Sequence, residues 1–198
     1  MNILMVTAHP CADSFTHAVA EAARRGLERG AHDVTTLDLY ALGFAPAMTP
    51  AEREAYDTDQ PLIDPLAAEH ARLVQRAQML VFVYPTWWSG PPAILRGWLE
   101  RVFVPGIAFR FDARGKVRPA LTNVREIVGI STYGSPRRFV KLLNDGGRRM
   151  LTRALRLNCG WRTRTTWLPL YSLDTLTDAE RAGFLERVEQ SMSRSGRP

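Results

Sequence analysis

Met79-Leu80-Val81-Phe82-Val83-Tyr84-Pro85-Thr86-Trp87-Trp88-Ser89-Gly90-Pro91-Pro92 is the stretch on which the fold turns. Met79 to Tyr84 is a continuous apolar run, as a strand needs when both its faces are covered in a parallel sheet. Pro85 ends the run, and Gly90-Pro91 marks a turn before a helical pattern that opens on proline and reaches about Val104. A buried strand, a short loop and a helix in that order make one strand–helix unit of a parallel sheet.

Working outward, the unit recurs. Ile3 to Ala8 is a second apolar run, followed by a helical pattern from Ser14 to Arg29 with Phe15, Ala18, Val19, Ala22, Ala23 and Leu27 on one face and a stop at Gly30. Asp33 to Leu39 reads as a strand. Thr49-Pro50-Ala51-Glu52 has the cap, proline and glutamate of a helix start, and 56–61 reads as a long loop. Asp64-Pro65 opens a helix to about Ala77. Val124 to Ser131 is a strand, Phe139 to Leu155 is helical and Arg164 to Leu168 is a strand. Thr177-Asp178-Ala179-Glu180 is a second capping box, for a last helix to about Met192, and 193–198 reads as a frayed tail. Five strands alternating with helices predict one domain over 1–192: an α/β, doubly wound, five-stranded parallel sheet of order 2-1-3-4-5 with helices on both faces. Its ligand crevice falls at the carboxyl ends of strands 1, 3 and 4.

Composition narrows the class. The chain has 198 residues, 45% hydrophobic and 23% charged, which excludes a disordered or collagen-like chain. Lys and Arg number 26 against 20 acids, a net charge of +6. The arginines are scattered, with no aromatic-interleaved basic stripe, so no nucleic-acid partner is expected; attraction of a small anion into a cleft suits the charge better. Cys11 and Cys159 make no disulfide framework, and with His9, His17, His32 and His70 they give no metal-ligand spacing, so no metal site is expected. The apolar runs fall far short of the ~20 residues of a membrane span, and the N-terminus has no export signal. No membrane insertion and a cytoplasmic location follow as expectations.

Three strand exits carry unusual residues. Thr7-Ala8-His9-Pro10-Cys11-Ala12-Asp13-Ser14-Phe15-Thr16 runs directly into a helix, whose free N–H groups and dipole favour an anion; His9, Ser14 and Thr16 add donors. There is no GxGxxG or GKS/T loop, and Ser14 also reads as a plain helix cap. Trp87 and Trp88 between proline and glycine suit a flat aromatic ligand, or else plug the core top or a subunit interface. Ser131-Thr132-Tyr133-Gly134-Ser135-Pro136 lets backbone approach a ligand, or is a tight turn. Cys159 reads as a buried structural thiol, and Cys11 with His9 is a weak thiol-hydrolase pattern. An anion site, an aromatic clamp and a close backbone together suit a ligand with phosphate at one end and a flat ring at the other. A flavin nucleotide is such a ligand, and its chemistry resides in the cofactor.

The chain resembles the flavodoxin-like NAD(P)H:quinone oxidoreductases, particularly the short bacterial members that include the modulator-of-drug-activity type. The resemblance is carried by Ala8-His9 with Ser14-Phe15; Tyr84-Pro85-Thr86-Trp87-Trp88 with Gly90, Pro92-Ala93-Ile94-Leu95 and Gly97-Trp98-Leu99-Glu100-Arg101-Val102-Phe103; Gly106-Ile107-Ala108-Phe109; Ser131-Thr132 with Gly134; and Cys159-Gly160, with a looser match from Tyr171-Ser172 to Arg181. It implies the flavodoxin-like fold and a flavin held by a homodimer with its sites at the subunit interface. It also implies two-electron, ping-pong hydride transfer from NAD(P)H through flavin N5 to a quinone. By position, His9, Ser14, Phe15 and Thr16 would hold phosphates and Pro85, Thr86, Trp87 and Trp88 would line the ring. Ser131, Thr132, Tyr133 and Gly134 would meet the ring's pyrimidine edge, and Arg181 matches the family's arginine near adenine. FAD is expected over the alternative FMN, because His9, Ser14 and Thr16 are few donors for a terminal dianion while Arg181 suits an adenosine.

One departure stands out. The tyrosine and histidine that stabilise reduced flavin in mammalian-type members have no match in Arg137-Arg138-Phe139 through Asn144-Asp145. Backbone donors at Gly134 and Ser135, aided by Arg137 or Arg138, are the expected substitute, with Trp87, Tyr133 and Gly134 as the catalytic residues. Alternatives of another class are a flavodoxin-type electron carrier and an accessory subunit of a membrane transport system. A carrier would usually show a hydroxyl-rich phosphate loop and an acidic surface, and this chain has neither.

Overall fold

Strands β1 (Asn2–Thr7), β3 (Met79–Pro85) and β6 (Glu126–Thr132) form the centre of a parallel sheet in a computed structural model that describes residues 1–196. Every residue of β3 and β6 is buried, as expected where helices cover both faces. β2 (Asp33–Asp38) and β7 (Arg164–Leu170) are the edges, and the order is β2-β1-β3-β6-β7. This is the expected 2-1-3-4-5 arrangement, its fourth and fifth strands being β6 and β7.

The strand pleat divides the core in two. On one face Ile3, Met5, Met79, Val81 and Val83 meet α1 (Phe15–Arg29) and α8 (Asp178–Arg194). On the other, Leu4, Val6, Leu80, Phe82 and Tyr84 meet α3 (Pro65–Arg76) and α4 (Ala93–Val102). Helices α1 and α8 pack closely at Gly26, where a Cβ would lie 2.3 Å from the Glu189 carbonyl oxygen. The two expected capping boxes are present at Thr49, which starts α2 (Pro50–Ala55), and at Thr177. Arg101 is buried with Glu52 at 2.6 Å and Asp64 at 3.3 Å, tying α4 to α2 and the start of α3.

Three expectations are corrected. Phe139–Leu155 is not one helix: α5 (Arg137–Leu142) ends, Asn144 and Asp145 take φ of 65° and 32°, and the chain restarts as α6 (Gly146–Arg149), a π-helical segment (Met150–Leu155) and α7 (Arg156–Cys159). Asn and Asp tolerate the left-handed region and glycine follows, so turn chemistry overrides the helical periodicity. A small hairpin, β4 (Phe109–Phe111) with β5 (Val117–Pro119), is an element the periodicity does not announce. The last helix ends later than expected: α8 reaches Arg194, the Ser195 carbonyl lies 3.1 Å from His32 Nε2, and the Gly196 N–H donates to Glu126 at 3.3 Å. Arg197 and Pro198, the end of the expected tail, lie outside the described residues. Strand β7 also runs two residues further than expected, through Pro169, which an edge strand accommodates.

Candidate functional site

The loop after β3 is a tight reversal. Trp87 and Gly90 exchange N–H···O=C bonds of 2.9 and 3.0 Å across Trp88 and Ser89, which have φ of 48° and 59°. Two successive left-handed residues are the signature of a primed two-residue turn, a place where glycine or asparagine is usual. The geometry leaves Trp87 43% exposed and Trp88 103% exposed. The Gly146 N–H holds the turn from beneath through the Ser89 carbonyl, at 3.1 Å. The His9 ring lies against Trp87, centroids 5.7 Å apart, so the first and third strand exits meet.

At the first exit His9 Nδ1 lies 3.1 Å from the Cys11 N–H and 3.3 Å from the Cys11 carbonyl oxygen, and Nε2, at the far side of the ring, has no partner among the described residues. Ser14 caps α1, and its hydroxyl also lies 3.0 Å from His17 Nδ1, while His17 Nε2 lies 2.9 Å from Asp38. With the Nε2–H donating to the Asp38 carboxylate, Nδ1 accepts from the Ser14 hydroxyl. Ser14 is therefore a poorer anion donor than its sequence position suggests. The N–H groups of Phe15 and Thr16, unpaired as helix starts must be, remain for an anion. The Phe15 side chain packs instead on Phe184 of α8, and the Thr16 side chain is buried.

At the β6 exit Tyr133 is buried and its hydroxyl donates to Asp145 at 2.8 Å. Burial and then the Asp145 charge push this phenol well above its usual value. Its ring stacks on Tyr171, centroids 4.9 Å apart. Asp145 accepts a second bond, from the Arg148 N–H that it caps, at 3.1 Å. Tyr84 lies below with a buried hydroxyl that has no partner among the described residues, and burial pushes it, too, well above the usual phenol range.

These loops enclose a cavity of about 440 Å³ lined by Thr86, Trp88, Tyr133, Gly134, Leu143 and Asp145. Of the expected site residues, Thr86, Trp88, Tyr133 and Gly134 face it, and Trp87 and His9 stand beside it as a touching pair. Pro85, Ser131 and Thr132 do not line it: they are buried in their strands, and the Ser131 hydroxyl is bonded to Thr86 at 2.8 Å. Arg181 lies at the start of α8, bonded at 3.5 Å to both the Leu173 carbonyl and Asp178, with its Nε buried and without a partner among the described residues. Asp145, with Phe139 and Val140 of α5 and Leu143 at its end, also lines the cavity and was not singled out by sequence reasoning. The signal for Asp145 was present in Asn144-Asp145-Gly146-Gly147, four turn-forming residues inside a helical pattern. Burial pushes the Cys159 thiol up to about 12, so it is an inert core residue. Among the described residues no group of three or more His, Cys, Asp or Glu side chains could hold a metal.

Apolar side chains, the Thr86 and Tyr133 residues and the Gly134–Ser135 segment line the cavity, and a helix start whose first N–H groups suit an anion stands at the neighbouring exit, so the arrangement can accommodate a flat heterocycle attached to phosphate. Known proteins agree with this architecture. Residues 1–193 match the family described as "Flavodoxin-like fold". NAD(P)H dehydrogenase [quinone] 1 of Cavia porcellus is 35% identical over 147 residues, 67% of this chain and 53% of that protein. The chain thus spans about half the length of this curated relative. The solved NAD(P)H:quinone oxidoreductase of Methanothermobacter marburgensis superposes with a TM-score of 0.83 at 24% identity, covering 100% of this chain and 98% of its own. An FMN-dependent NADH-azoreductase of Bacillus anthracis, in complex with FMN, superposes at 0.79 with 16% identity, covering 98% and 99%. The matched residues, the strand order and the crevice at the strand exits place this chain in the flavodoxin-like fold family, among relatives named as NAD(P)H:quinone oxidoreductases.

Proposed function

We propose that this protein is a flavin-dependent NAD(P)H dehydrogenase (quinone). The observation that carries the reading is the strained turn that holds Trp87 and Trp88 outside the core at the edge of a cavity of about 440 Å³. Left-handed backbone at two bulky or polar residues is unfavourable, and an exposed tryptophan pair is a poor solvent surface, so the arrangement makes sense as a binding platform.

A flavin held here would supply the redox chemistry, two-electron hydride exchange between NAD(P)H and a quinone in ping-pong order. The chain's residues bind and orient. Trp87 and Trp88 form one wall and exclude water from the ring. The N–H groups of Gly134 and Ser135 meet its polar edge. His9 Nε2–H and the N–H groups of Phe15 and Thr16 hold phosphate, with Ser14 in a secondary role. Tyr133, fixed by Asp145, holds a proton at its hydroxyl throughout the neutral range and so acts as a neutral donor or acceptor rather than a phenolate. Trp87, Tyr133 and Gly134 are the residues assigned to contact the reacting pair. Thr86 supports the ring, and Pro85, Ser131 and Thr132 set the loop positions from within the strands.

FAD is the proposed cofactor. Few side-chain donors face the first loop once Ser14 is committed, and Arg181, at the start of α8 beside α1, has a buried Nε without a partner among the described residues. FMN is the second reading, favoured by the FMN-bound azoreductase of the same fold. A homodimer with the site at its interface is proposed from the apolar rim formed by exposed Trp88, Phe139, Leu142 and Leu143. A cytoplasmic, non-inserted protein of a single unit over 1–192 completes the reading; no described helix is long and apolar enough to cross a membrane. The test is anaerobic addition of NAD(P)H to the purified yellow protein, followed by a quinone. Rapid bleaching and reoxidation are expected. An oxidised spectrum that neither dinucleotide alters would leave the electron-carrier reading in its place. The mass of the released cofactor decides between FAD and FMN.

A further inference from the structure

Val140 and Asp145 line a second concavity as well as the cavity already described. It has a volume of about 320 Å³ and runs between α5 and the α6 segment. Its walls carry Arg137, Lys141, Arg148, Arg149 and Arg153, with Tyr171 at one side. Elsewhere the chain neutralises clustered arginines: on α1, Arg24, Arg25 and Arg29 are each paired with Glu21, Glu28 or Glu189. The five groove cations form no ion pair among the described residues. The single carboxylate in the wall, Asp145, already accepts the Tyr133 hydroxyl and the Arg148 N–H. Five unneutralised cations around one concavity repel each other, and a bound dianion relieves that repulsion. Guanidinium forks match phosphate oxygens in shape as well as charge.

We propose that this groove binds the 2′-phosphate on the adenosine half of the reduced dinucleotide, which makes NADPH the preferred reductant over NADH. The inference rests on the reading that the dinucleotide reaches flavin in the adjoining cavity. NADPH and NADH differ only in that phosphate, far from the nicotinamide, so recognition must come from a cationic surface continuous with the cavity but separate from it. The groove meets both conditions. Tyr171, stacked on Tyr133 at the junction, offers a flat face between the two compartments.

The experiment has two arms. Calorimetric titration of the purified holoprotein with 2′,5′-ADP and with 5′-AMP reads the groove without any turnover. Tighter binding of 2′,5′-ADP by about tenfold or more is expected, the scale of a charge-assisted phosphate contact. The preference should disappear in an Arg148→Gln/Arg153→Gln double variant, whose substitutions are at exposed positions, and persist in Arg114→Gln on the hairpin turn. The second arm compares kcat/KM for NADPH and NADH, a ratio that should fall toward one in the double variant. Equal binding of the two nucleotides, or a preference that survives the double variant, overturns the groove assignment. Absence of reduction by either dinucleotide overturns the functional reading instead, and the titration still decides the groove.

Discussion

Trp88 and Trp98 stand ten residues apart on one segment and live in opposite environments. Trp98 is fully buried on α4, its ring among Phe82, Phe103 and His70, and its indole N–H donates to His70 Nδ1 at 3.0 Å. Trp88 is fully exposed, on a backbone in a region its side chain disfavours. The first has every polar and apolar demand met inside the chain. The second has none met, and its neighbours hold it that way. A residue type alone therefore says little; satisfaction within the fold separates a structural tryptophan from one kept for a ligand or a partner subunit.

The comparison breaks most readily at the buried end. Trp98→Ala is expected to destabilise the fold by about 3–5 kcal/mol, through lost burial, a cavity and an unpaired His70 nitrogen. Urea denaturation reads this, and a loss below about 1 kcal/mol would mean that the core has a way to refill the site. The same contact makes a pH prediction. Burial holds His70 below the usual imidazole value of 6.5 against the opposing charges of Glu69 and Asp64, and protonation at Nδ1 would in addition sever the Trp98 bond. The unfolded chain takes up that proton first, so the contribution is complete above pH 6.5 and declines as the pH falls below it. Denaturation midpoints followed from pH 7.5 downward should show the decline, and His70→Gln should flatten it.

At the exposed end the expected effects move from stability to binding. Trp87→Ala should weaken flavin binding or substrate turnover by ~1–3 kcal/mol. Unchanged flavin content together with unchanged turnover would remove the turn from the site. Arg181→Ala should loosen FAD by about 1 kcal/mol, read by fluorescence titration of the apoprotein. Affinity indifferent to that change speaks for FMN. Ser89→Gly should stabilise the fold slightly, by about 0.5–1 kcal/mol, since glycine accepts a φ of 59° without strain. Trp88→Ala should shift stability by less than about 0.5 kcal/mol, the smallest effect, because its ring makes no core contact. A larger loss would assign Trp88 to the fold rather than to a ligand or interface.

The central architecture was legible because each main element is locally consistent. The runs at Ile3 and Met79 are too apolar and too short to be anything but covered strands, and Thr49-Pro50-Ala51-Glu52 and Thr177-Asp178-Ala179-Glu180 carry their own caps. Thr86, Trp87, Trp88, Tyr133 and Gly134 were legible as site candidates for the same reason: the topology rule places strands 1, 3 and 4 around the crevice, and their exits hold the unusual residues. Ser131 and Thr132 lie one step inside the exit, within β6. Being adjacent to the exit, they look like loop residues, but the strand pairs to its last position and encloses them. Asp145 was missed because periodicity carried a helix across a turn whose residues announced it.

What the sequence by itself determined about this protein is the order of strands and helices, the crevice they must leave, and the aromatic and helix-start character of its rim. These follow from periodicity, capping and connection rules, all local or topological. Only the tertiary structure decided the pairings across long separations: Tyr133 with Asp145, His17 with Asp38 twenty-one residues on, and His9 against Trp87. It also decided which hydroxyls are already engaged, and which arginines are paired and which face a groove without partners. The physical reason is that a hydrogen bond or an ion pair depends on distances of about 3 Å between side chains. Periodicity places a side chain on a face, and packing alone sets what meets it there.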